Sequence, residues 1–223
     1  MERAPWPIGL LFGLSLAIVI LLVGPLLLFN PAFTSALQVR HGVADAFDTT
    51  QSEIERVTSA YLVDIYLDGP FDASLDGARP LLDDEERSHM SDVSQLVRLL
   101  AGIAVVAMVL AVVTGSLLRR EPRRQGLIML VAAGGIGAVA LLLAGIFAVA
   151  FEPAFLFFHE LLFPPGTYLF PTGSDLIVLF PQGFWFDAAL AAGAAIIVVA
   201  LVVTFIGFRR WRTGAVGAAR TDR

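Results

Sequence analysis

Four long apolar runs, separated by polar segments, organise this chain. They cover about residues 8–29, 97–118, 127–151 and 187–208, and charged residues occur only near their ends. Each run has about 20 to 25 residues, enough for a helix that rises about 1.5 Å per residue to cross a hydrocarbon core about 30 Å thick. The pattern predicts an all-α membrane protein with four transmembrane helices.

The composition favours the same class. The chain is 57% hydrophobic and only 16% charged, whereas about a quarter of the residues of a soluble domain are charged. A cleaved signal peptide is the alternative interpretation of the first run, with Thr34-Ser35-Ala36 as a poor cleavage site. Because the run exceeds the roughly 7–15 residues of a signal-peptide core, we expect a retained span.

The placement of arginine predicts the orientation, since the chain contains no lysine. Arginines concentrate in 119–124, between the second and third runs, and in 209–223 after the fourth. Positively charged loops stay in the cytoplasm, so both termini are expected there. Residues 31–95 then form a small extracytoplasmic cap, and 152–186 form a second outer loop. Because no basic patch lies outside the cytoplasmic segments, no nucleic-acid partner is expected.

Two helices are predicted in the cap. A capping-box pattern at 50–53 starts the first, which should end at the breaker sequence 68–70. Asp76-Gly77 fits the turn of a possible short hairpin. The second helix should begin near Asp83 or Asp84, whose carboxylates suit a helix N-terminus, and run into the second span. Apolar residues at helical spacing mark the buried face of the first helix: Ile54, Val57, Tyr61 and Ile65.

The second outer loop is rich in aromatic residues. Residues 147–186 hold ten of the seventeen phenylalanines, and several prolines exclude one long regular helix. Aromatic residues are common in the interfacial belt of membrane proteins. A belt and a lining for an apolar ligand are both compatible with this composition.

Glu86, His89 and Asp92 are the first candidates for chemistry. Their i, i+3, i+6 spacing puts both carboxylates beside the imidazole on a helix. A neighbouring carboxylate can fix the tautomer of a histidine and stabilise its protonated form, as general acid–base catalysis requires. The same spacing also occurs on solvated acidic helix faces.

His159 is the second candidate. It lies about two turns beyond the third span, among phenylalanines and leucines. An ionisable group in such a setting is costly and often functional, and desolvation favours the neutral imidazole that accepts a proton. An interfacial histidine with its polar edge in water is the alternative. His41 has no supporting pattern around it and is expected at the surface.

Zinc is a competing interpretation of the same residues. His89 and His159, with Glu86, Asp92 or Glu160, offer ligands of the right kind. The sequence has no HExxH or other metal spacing and no GxSxG elbow. The absence of cysteine excludes disulfides, thiol nucleophiles and Cys-type zinc sites. We therefore expect no metal and no other cofactor.

Two segments around the histidines match a family signature. ERSHMSDV at 86–93 is similar to an E-x-x-H-M-x-D-V motif, and FHE at 158–160 with FPPGTY at 163–168 is similar to a second-histidine segment. DLI at 175–177 and LFPQGFW at 179–185 continue the match. With these motifs, the whole chain resembles the lipoprotein intramolecular transacylase (Lit) family of integral membrane proteins.

The resemblance implies a multi-pass acyltransferase of the bacterial plasma membrane. Its substrate would be a diacylglyceryl-modified lipoprotein, whose sn-2 acyl chain moves to the α-amino group of the N-terminal cysteine, among membrane lipids. His89 and His159 would be the catalytic pair, supported by Glu86 and Asp92. From its apolar surroundings we assign His159 as the base, and His89, beside carboxylates, as the more readily charged histidine. The expected substrate-binding residues are Phe158, Phe163, Tyr168, Phe180, Phe184 and Trp185.

Three positions depart from the family pattern, in which a Trp is frequent at Tyr168, an acid at Gln182 and an Arg near Val178. Loss of a charged pair there is expected to affect headgroup recognition or substrate class and to leave the histidines in place. Two other functions stay open. One is a non-enzymatic membrane module that binds a lipid or protein partner through the cap, with pH-sensing histidines. The other is a metal-dependent membrane hydrolase.

Overall fold

The structure, a computed structural model, describes residues 4–75, 77 and 79–221, with side chains as far as residue 213. This part of the chain is helical and contains no strand, which confirms the predicted fold class. The possible hairpin involves Asp76, which lies outside the described residues. The α-helices are α1 Trp6–Leu27, α2 Pro31–Arg40, α3 Val43–Ala46, α4 Gln51–Leu67, α5 Asp84–Leu117, α6 Pro122–Val149, α7 Phe151–Leu162, α8 Asp175–Leu179 and α9 Gln182–Thr221, with a 3-10 turn at Leu118–Arg120.

Among the described residues, four helices are long and apolar enough to cross a membrane, in agreement with the predicted number of spans. They are Trp6–Leu27, Asp84–Arg120, Pro122–Val149 and Gln182–Thr213. Helices α5 and α9 extend beyond the apolar runs within them, as predicted for the start of α5, and the limits of the spans stay a prediction. The charge-free stretch 99–118 has the length and composition of a membrane span within α5. Residues 84–98, which include His89, form a polar first part outside that segment.

Contacts divide the chain into two compact units. The first comprises Met1–Pro25, Gly102–Ala144 and Ala192–Arg223. Small residues bring its helices close together: a Cβ on Gly24 would lie 2.5 Å from the carbonyl oxygen of Ala192. Such close approaches are typical of helix packing in membranes. Its buried core consists of Ile20, Ala133, Ala140, Ile196 and Ala200.

The second unit comprises Leu26–Ala101 and Gly145–Ala191. Its core is built on α4, whose predicted apolar face is buried as expected (Ile54, Val57, Tyr61 and Ile65). The hydroxyl of Thr50 caps α4 by accepting a hydrogen bond from the backbone N–H of Glu53. The helix ends at Asp68, whose left-handed conformation (φ 61°) terminates it. Helix α4 therefore begins and ends close to the expected residues, and α5 begins at Asp84, as predicted.

The polar first part of α5 packs on α4. The Ser94 hydroxyl donates a buried hydrogen bond of 2.8 Å to the carbonyl of Ile65. The Arg98 guanidinium pairs with the Asp68 carboxylate at 2.7 Å. Met90 and Val97, from the same part of α5, belong to the core that α4 organises. These contacts fix the rotation of α5 about its axis and so determine where His89 points.

Candidate active site

His89 and His159 lie side by side within the second unit. Their ring centroids are 6.1 Å apart and the ring planes differ by 27°. His89 is buried, with 7% of its surface exposed, and His159 is half-buried. If two side chains each lie within hydrogen-bond distance, about 3 Å, of the same reacting atom, they are at most about 6 Å from each other. The spacing therefore suits joint action on a single substrate group.

Aromatic side chains surround the pair. We call residues 163–174, which join α7 to α8, the aromatic loop. Phe163 contacts both imidazoles, with centroid distances of 4.9 Å to His89 and 5.5 Å to His159. Phe170 lies 5.6 Å from His89, and Tyr168 lies 5.5 Å from His159. The loop thus supplies an aromatic wall to each histidine.

One hydrogen bond orients His159. Its Nδ1 lies 2.8 Å from the backbone carbonyl oxygen of Phe155, one helical turn earlier. A carbonyl oxygen only accepts hydrogen bonds, so Nδ1 is the protonated nitrogen. In the neutral ring, Nε2 then carries the lone pair. This tautomer is the one that a general base needs.

Burial favours the neutral form of both histidines. The pKa of His89 is lowered from 6.5 to about 4, mainly by burial and to a smaller extent by the neighbouring His159. Burial also lowers the pKa of His159, against a smaller opposite effect of the hydrogen bond to Phe155. The lowered pKa argues against the expectation that His89 is the more readily charged histidine, because burial is its first cause and no carboxylate offsets it.

His89 has an unused polar atom. Its Nδ1 is buried and has no hydrogen-bond partner among the described residues. Leaving a buried polar atom unpaired costs free energy, so such atoms often mark the position of a ligand. His89 accordingly keeps a buried polar atom that is available to a substrate group or to a water molecule.

The two predicted supporting carboxylates do not contact the imidazole of His89. Glu86 is almost fully buried and accepts hydrogen bonds from the backbone N–H groups of Asp83 and Leu176, each at 2.8 Å. Asp92 is half-buried, and no contact joins it to His89 within the described part of the chain. No group of three or more potential metal ligands occurs among these residues either. Support of His89 by either carboxylate stays a prediction.

The predicted aromatic lining is divided between two layers. Phe158, at 5.5 Å from His159, joins Phe163 and Tyr168 in contact with the histidines. Phe180, Phe184 and Trp185 pack on one another instead, and Trp185 approaches the site through Phe155 at 6.0 Å. Phe155 and Phe170 were not predicted. The i, i+4 spacing of Phe155 and His159 is a signal that reveals the first; Phe170 has no comparable signal.

His41 is not a simple surface residue, contrary to expectation. It is half-buried, and its Nε2 lies 2.8 Å from the Asp187 carboxylate, which also pairs with Arg40 at 3.0 Å. A Cβ on Gly183 would lie 2.6 Å from the His41 ring. His41 therefore links the end of α2 to the start of α9, a contact between residues too far apart in sequence to be read from a local pattern.

The fold and the site define a class of protein: an integral membrane helical protein with a histidine pair in an apolar enclosure. The family model described as "Lipoprotein intramolecular transacylase Lit" matches residues 8–185. The chain belongs to this family of membrane acyltransferases.

Solved structures agree with this assignment at the level of the fold. The chain is similar to membrane integral lipoprotein intramolecular transacylase Lit from Bacillus cereus, with a TM-score of 0.70, 21% identity and 96% of each chain covered. A variant of that protein with a histidine replaced by alanine gives a TM-score of 0.73 at 18% identity, covering 96% of this chain and 94% of the other.

A curated relative matches a smaller part of the chain. An uncharacterized protein of Aquifex aeolicus (strain VF5) is 26% identical over 136 residues, which are 60% of each chain. The chain thus spans about 60% of the length of this relative.

Proposed function

We propose that this protein transfers the sn-2 acyl chain of a diacylglyceryl-modified lipoprotein to the α-amino group of the lipoprotein's N-terminal cysteine. The observation that carries the proposal is the stacked histidine pair, 6.1 Å apart, with His159 held in a proton-accepting tautomer. Membership of the transacylase family supplies the substrate class. A paired, neutral and desolvated set of imidazoles supplies the acid–base chemistry that acyl transfer needs.

The reaction conserves all atoms of the substrate. The neutral amine attacks the carbonyl carbon of the sn-2 ester, and a C–N bond forms. The tetrahedral intermediate then expels the sn-2 glycerol oxygen, and the C–O bond breaks. One proton moves from the attacking nitrogen to the leaving oxygen. Product and substrate are therefore isomers, and no water is consumed.

We assign the proton transfer to His159. Its Nε2 accepts the proton from the attacking amine, and the resulting imidazolium gives it to the leaving oxygen. Nδ1 stays hydrogen-bonded to the Phe155 carbonyl throughout, which stabilises the transient imidazolium. His89, whose Nδ1 has no partner among the described residues, is placed to donate to the developing oxyanion.

The aromatic enclosure has a separate part in this scheme. A tetrahedral intermediate reached by water would hydrolyse the ester, and walls formed by Phe163, Tyr168 and Phe170 keep water from the histidines. Amine and ester belong to one molecule. By folding the substrate into a reactive geometry, the enzyme lowers the activation barrier by about 7–11 kcal/mol. No protein nucleophile is required.

We further propose that the site faces the extracytoplasmic side, with both termini in the cytoplasm. The arginine-rich segment 119–124 supports this orientation through the positive-inside rule. The acidic cap segment 31–95 then lies outside with the histidines. This arrangement requires that the lipoprotein substrate is anchored in the outer leaflet, where its glyceryl ester reaches the aromatic loop.

A purified protein and a synthetic diacylglyceryl-cysteine lipopeptide test the function. Tandem mass spectrometry distinguishes the N-acyl, S-monoacylglyceryl product from its isomeric substrate, and loss of amine labelling gives a second readout. We expect conversion by the wild type. His159→Ala and His89→Ala should lower the rate by about 100-fold or more, because positioned acid–base groups contribute about 10²–10⁴.

The same experiment separates the alternatives. An unchanged lipopeptide, with folded and membrane-inserted protein, contradicts the transacylase. A product that has gained one water and lost its acyl chain indicates a hydrolase. Activity that a chelator abolishes and zinc restores indicates metal dependence instead of a histidine-only mechanism.

A further inference from the structure

Glu86 joins two segments that the reaction needs together. It lies one turn before His89 on α5, and only 1% of its surface is exposed. One carboxylate oxygen accepts from the Asp83 N–H and the other from the Leu176 N–H, each at 2.8 Å. The second bond connects the start of α5 to α8, at the far end of the aromatic loop.

Helix capping explains only half of this arrangement. Asp83 accepts from the Glu86 N–H at 2.8 Å while Glu86 accepts from the Asp83 N–H, which is a reciprocal capping box. A capping box uses one carboxylate oxygen. The bond from the other oxygen to the Leu176 N–H is not part of the cap of α5. Its effect is on α8 and on the loop that precedes it.

The aromatic loop is thereby tied at both ends. At its first residue, the N–H of Phe163 donates to the carbonyl of His159 at 2.9 Å. At its far end, Leu176 is held by Glu86 and is buried in the core of the second unit. Between these points lie Phe163, Tyr168 and Phe170, which contact the imidazoles.

We propose that Glu86 is a positioning residue of the active site, whose carboxylate holds the aromatic loop against the histidine pair and so keeps water from it. This inference rests on the proposed function for its activity readout, but the geometry of the loop can be measured without it. The role differs from the one that the i, i+3 spacing suggests, in which the Glu86 charge acts directly on the imidazole of His89.

Glu86→Gln distinguishes the positioning role from a direct charge effect on His89, because the two roles shift the acid limb of the kcat/KM profile in opposite directions. A capping box takes glutamine as well as glutamate at this position, so α5 keeps its start. In the wild type the Asp83 and Leu176 N–H groups bond to different carboxylate oxygens. In glutamine one of these oxygens is replaced by an NH2 group, which cannot accept, so one of the two bonds is lost. Glu86→Asp keeps the charge but is one methylene too short to reach both amides.

A loosened loop admits water, which raises the pKa of both histidines toward the ordinary value. The acid limb of the kcat/KM profile then moves to higher pH in Glu86→Gln and in Glu86→Asp, with at least about a tenfold loss at the acidic end. Removal of a charge that stabilised the imidazolium would move the limb to lower pH in Glu86→Gln and leave it in place in Glu86→Asp. The titratable groups in contact with the pair are the two histidines themselves and Tyr168. Glu86 and Asp92 lie on the same helix as His89, and Asp83, Arg79 and Asp175 lie around Glu86.

Hydrogen–deuterium exchange tests the same contact without activity. We expect faster exchange in peptides covering 163–180 of the full-length Glu86→Gln and Glu86→Asp proteins, and unchanged exchange in α4. Glu85→Gln, at the exposed neighbouring position, is the matched control and should behave as wild type in both assays. If the wild type does not acylate the lipopeptide, the proposed function fails and exchange alone decides the role of Glu86. Wild-type exchange at 163–180 in both variants, or an acid limb that moves down, overturns the proposal.

Discussion

The Nδ1 of His159 lies 2.8 Å from the carbonyl oxygen of Phe155, and this contact fixes which nitrogen of the ring can act as a base. Because helix α7 provides the carbonyl four residues earlier, the orientation is local and does not depend on substrate. The imidazole is therefore pre-oriented before any ligand binds. Pre-orientation of this kind is what a base near a reacting amine requires.

Nitrogen NMR checks this assignment directly. In protein labelled with ¹⁵N-histidine, we expect His159 to show a protonated Nδ1 and an unprotonated Nε2 at neutral pH. The chain has three histidines, so His89→Asn and His41→Asn assign the remaining signals. A predominant Nε2–H form of His159 would contradict the proposed base.

Phe163 should matter more than its neighbours on α7. It contacts both imidazoles and is 8% exposed, whereas Phe157 is 63% exposed. Phe163→Ala removes a buried ring, which costs about 3 kcal/mol of stability, and admits water to the histidines. We expect a lower melting temperature in detergent and an acid limb of activity at higher pH. Phe157→Ala, the control, should change neither; equal effects of the two variants would exclude a special role of Phe163.

The sequence predicted the fold because the membrane imposes it. Apolar runs such as 127–151 have to be helical in hydrocarbon, since each backbone group must find a partner within its own segment. The site was predicted in part, since a motif can mark His89 and His159. The bond from Leu176 to Glu86 and the packing of Phe170 on His89 depend on the course of a loop, which no local pattern encodes.

Gln182 shows how a departure from the family pattern is accommodated. Its side-chain amide donates to the Glu152 carboxylate at 2.8 Å, between the start of α9 and the start of α7. Gln182→Glu places two carboxylates at this contact, so we expect a lower melting temperature at pH 8 that recovers as the pH falls and one of them is protonated. Gln182→Leu loses the hydrogen bond alone and should show no such recovery.

A second substitution extends this test. The family pattern has an arginine near Val178, so Gln182→Glu combined with Val178→Arg should regain the melting temperature lost in Gln182→Glu. If the double variant stays as unstable as the single one, Val178 does not stand near enough to Gln182 to form the pair.

The proposed orientation predicts which positions face outward. The native chain contains no cysteine, so single cysteines can be introduced without background. In intact cells, a membrane-impermeant maleimide should label Ser59→Cys, on the exposed face of α4, and should leave Arg123→Cys unlabelled until the membrane is permeabilised. The reverse pattern would place the histidine pair in the cytoplasm and remove the basis for a substrate in the outer leaflet.

The lowered pKa of His89 makes stability depend on pH with a defined sign. The unfolded chain binds a proton at His89 below about pH 6.5, and the folded protein does so only below about pH 4. Between these values the unfolded state holds more protons, so stability falls as the pH falls through this window. His89→Asn removes the effect. We expect the melting temperature of the wild type to decrease relative to that of His89→Asn as the pH is lowered from 6.5 to 4. The carboxylates titrate alike in both proteins and do not affect this difference. Parallel curves of melting temperature against pH would show that His89 is not buried in its neutral form.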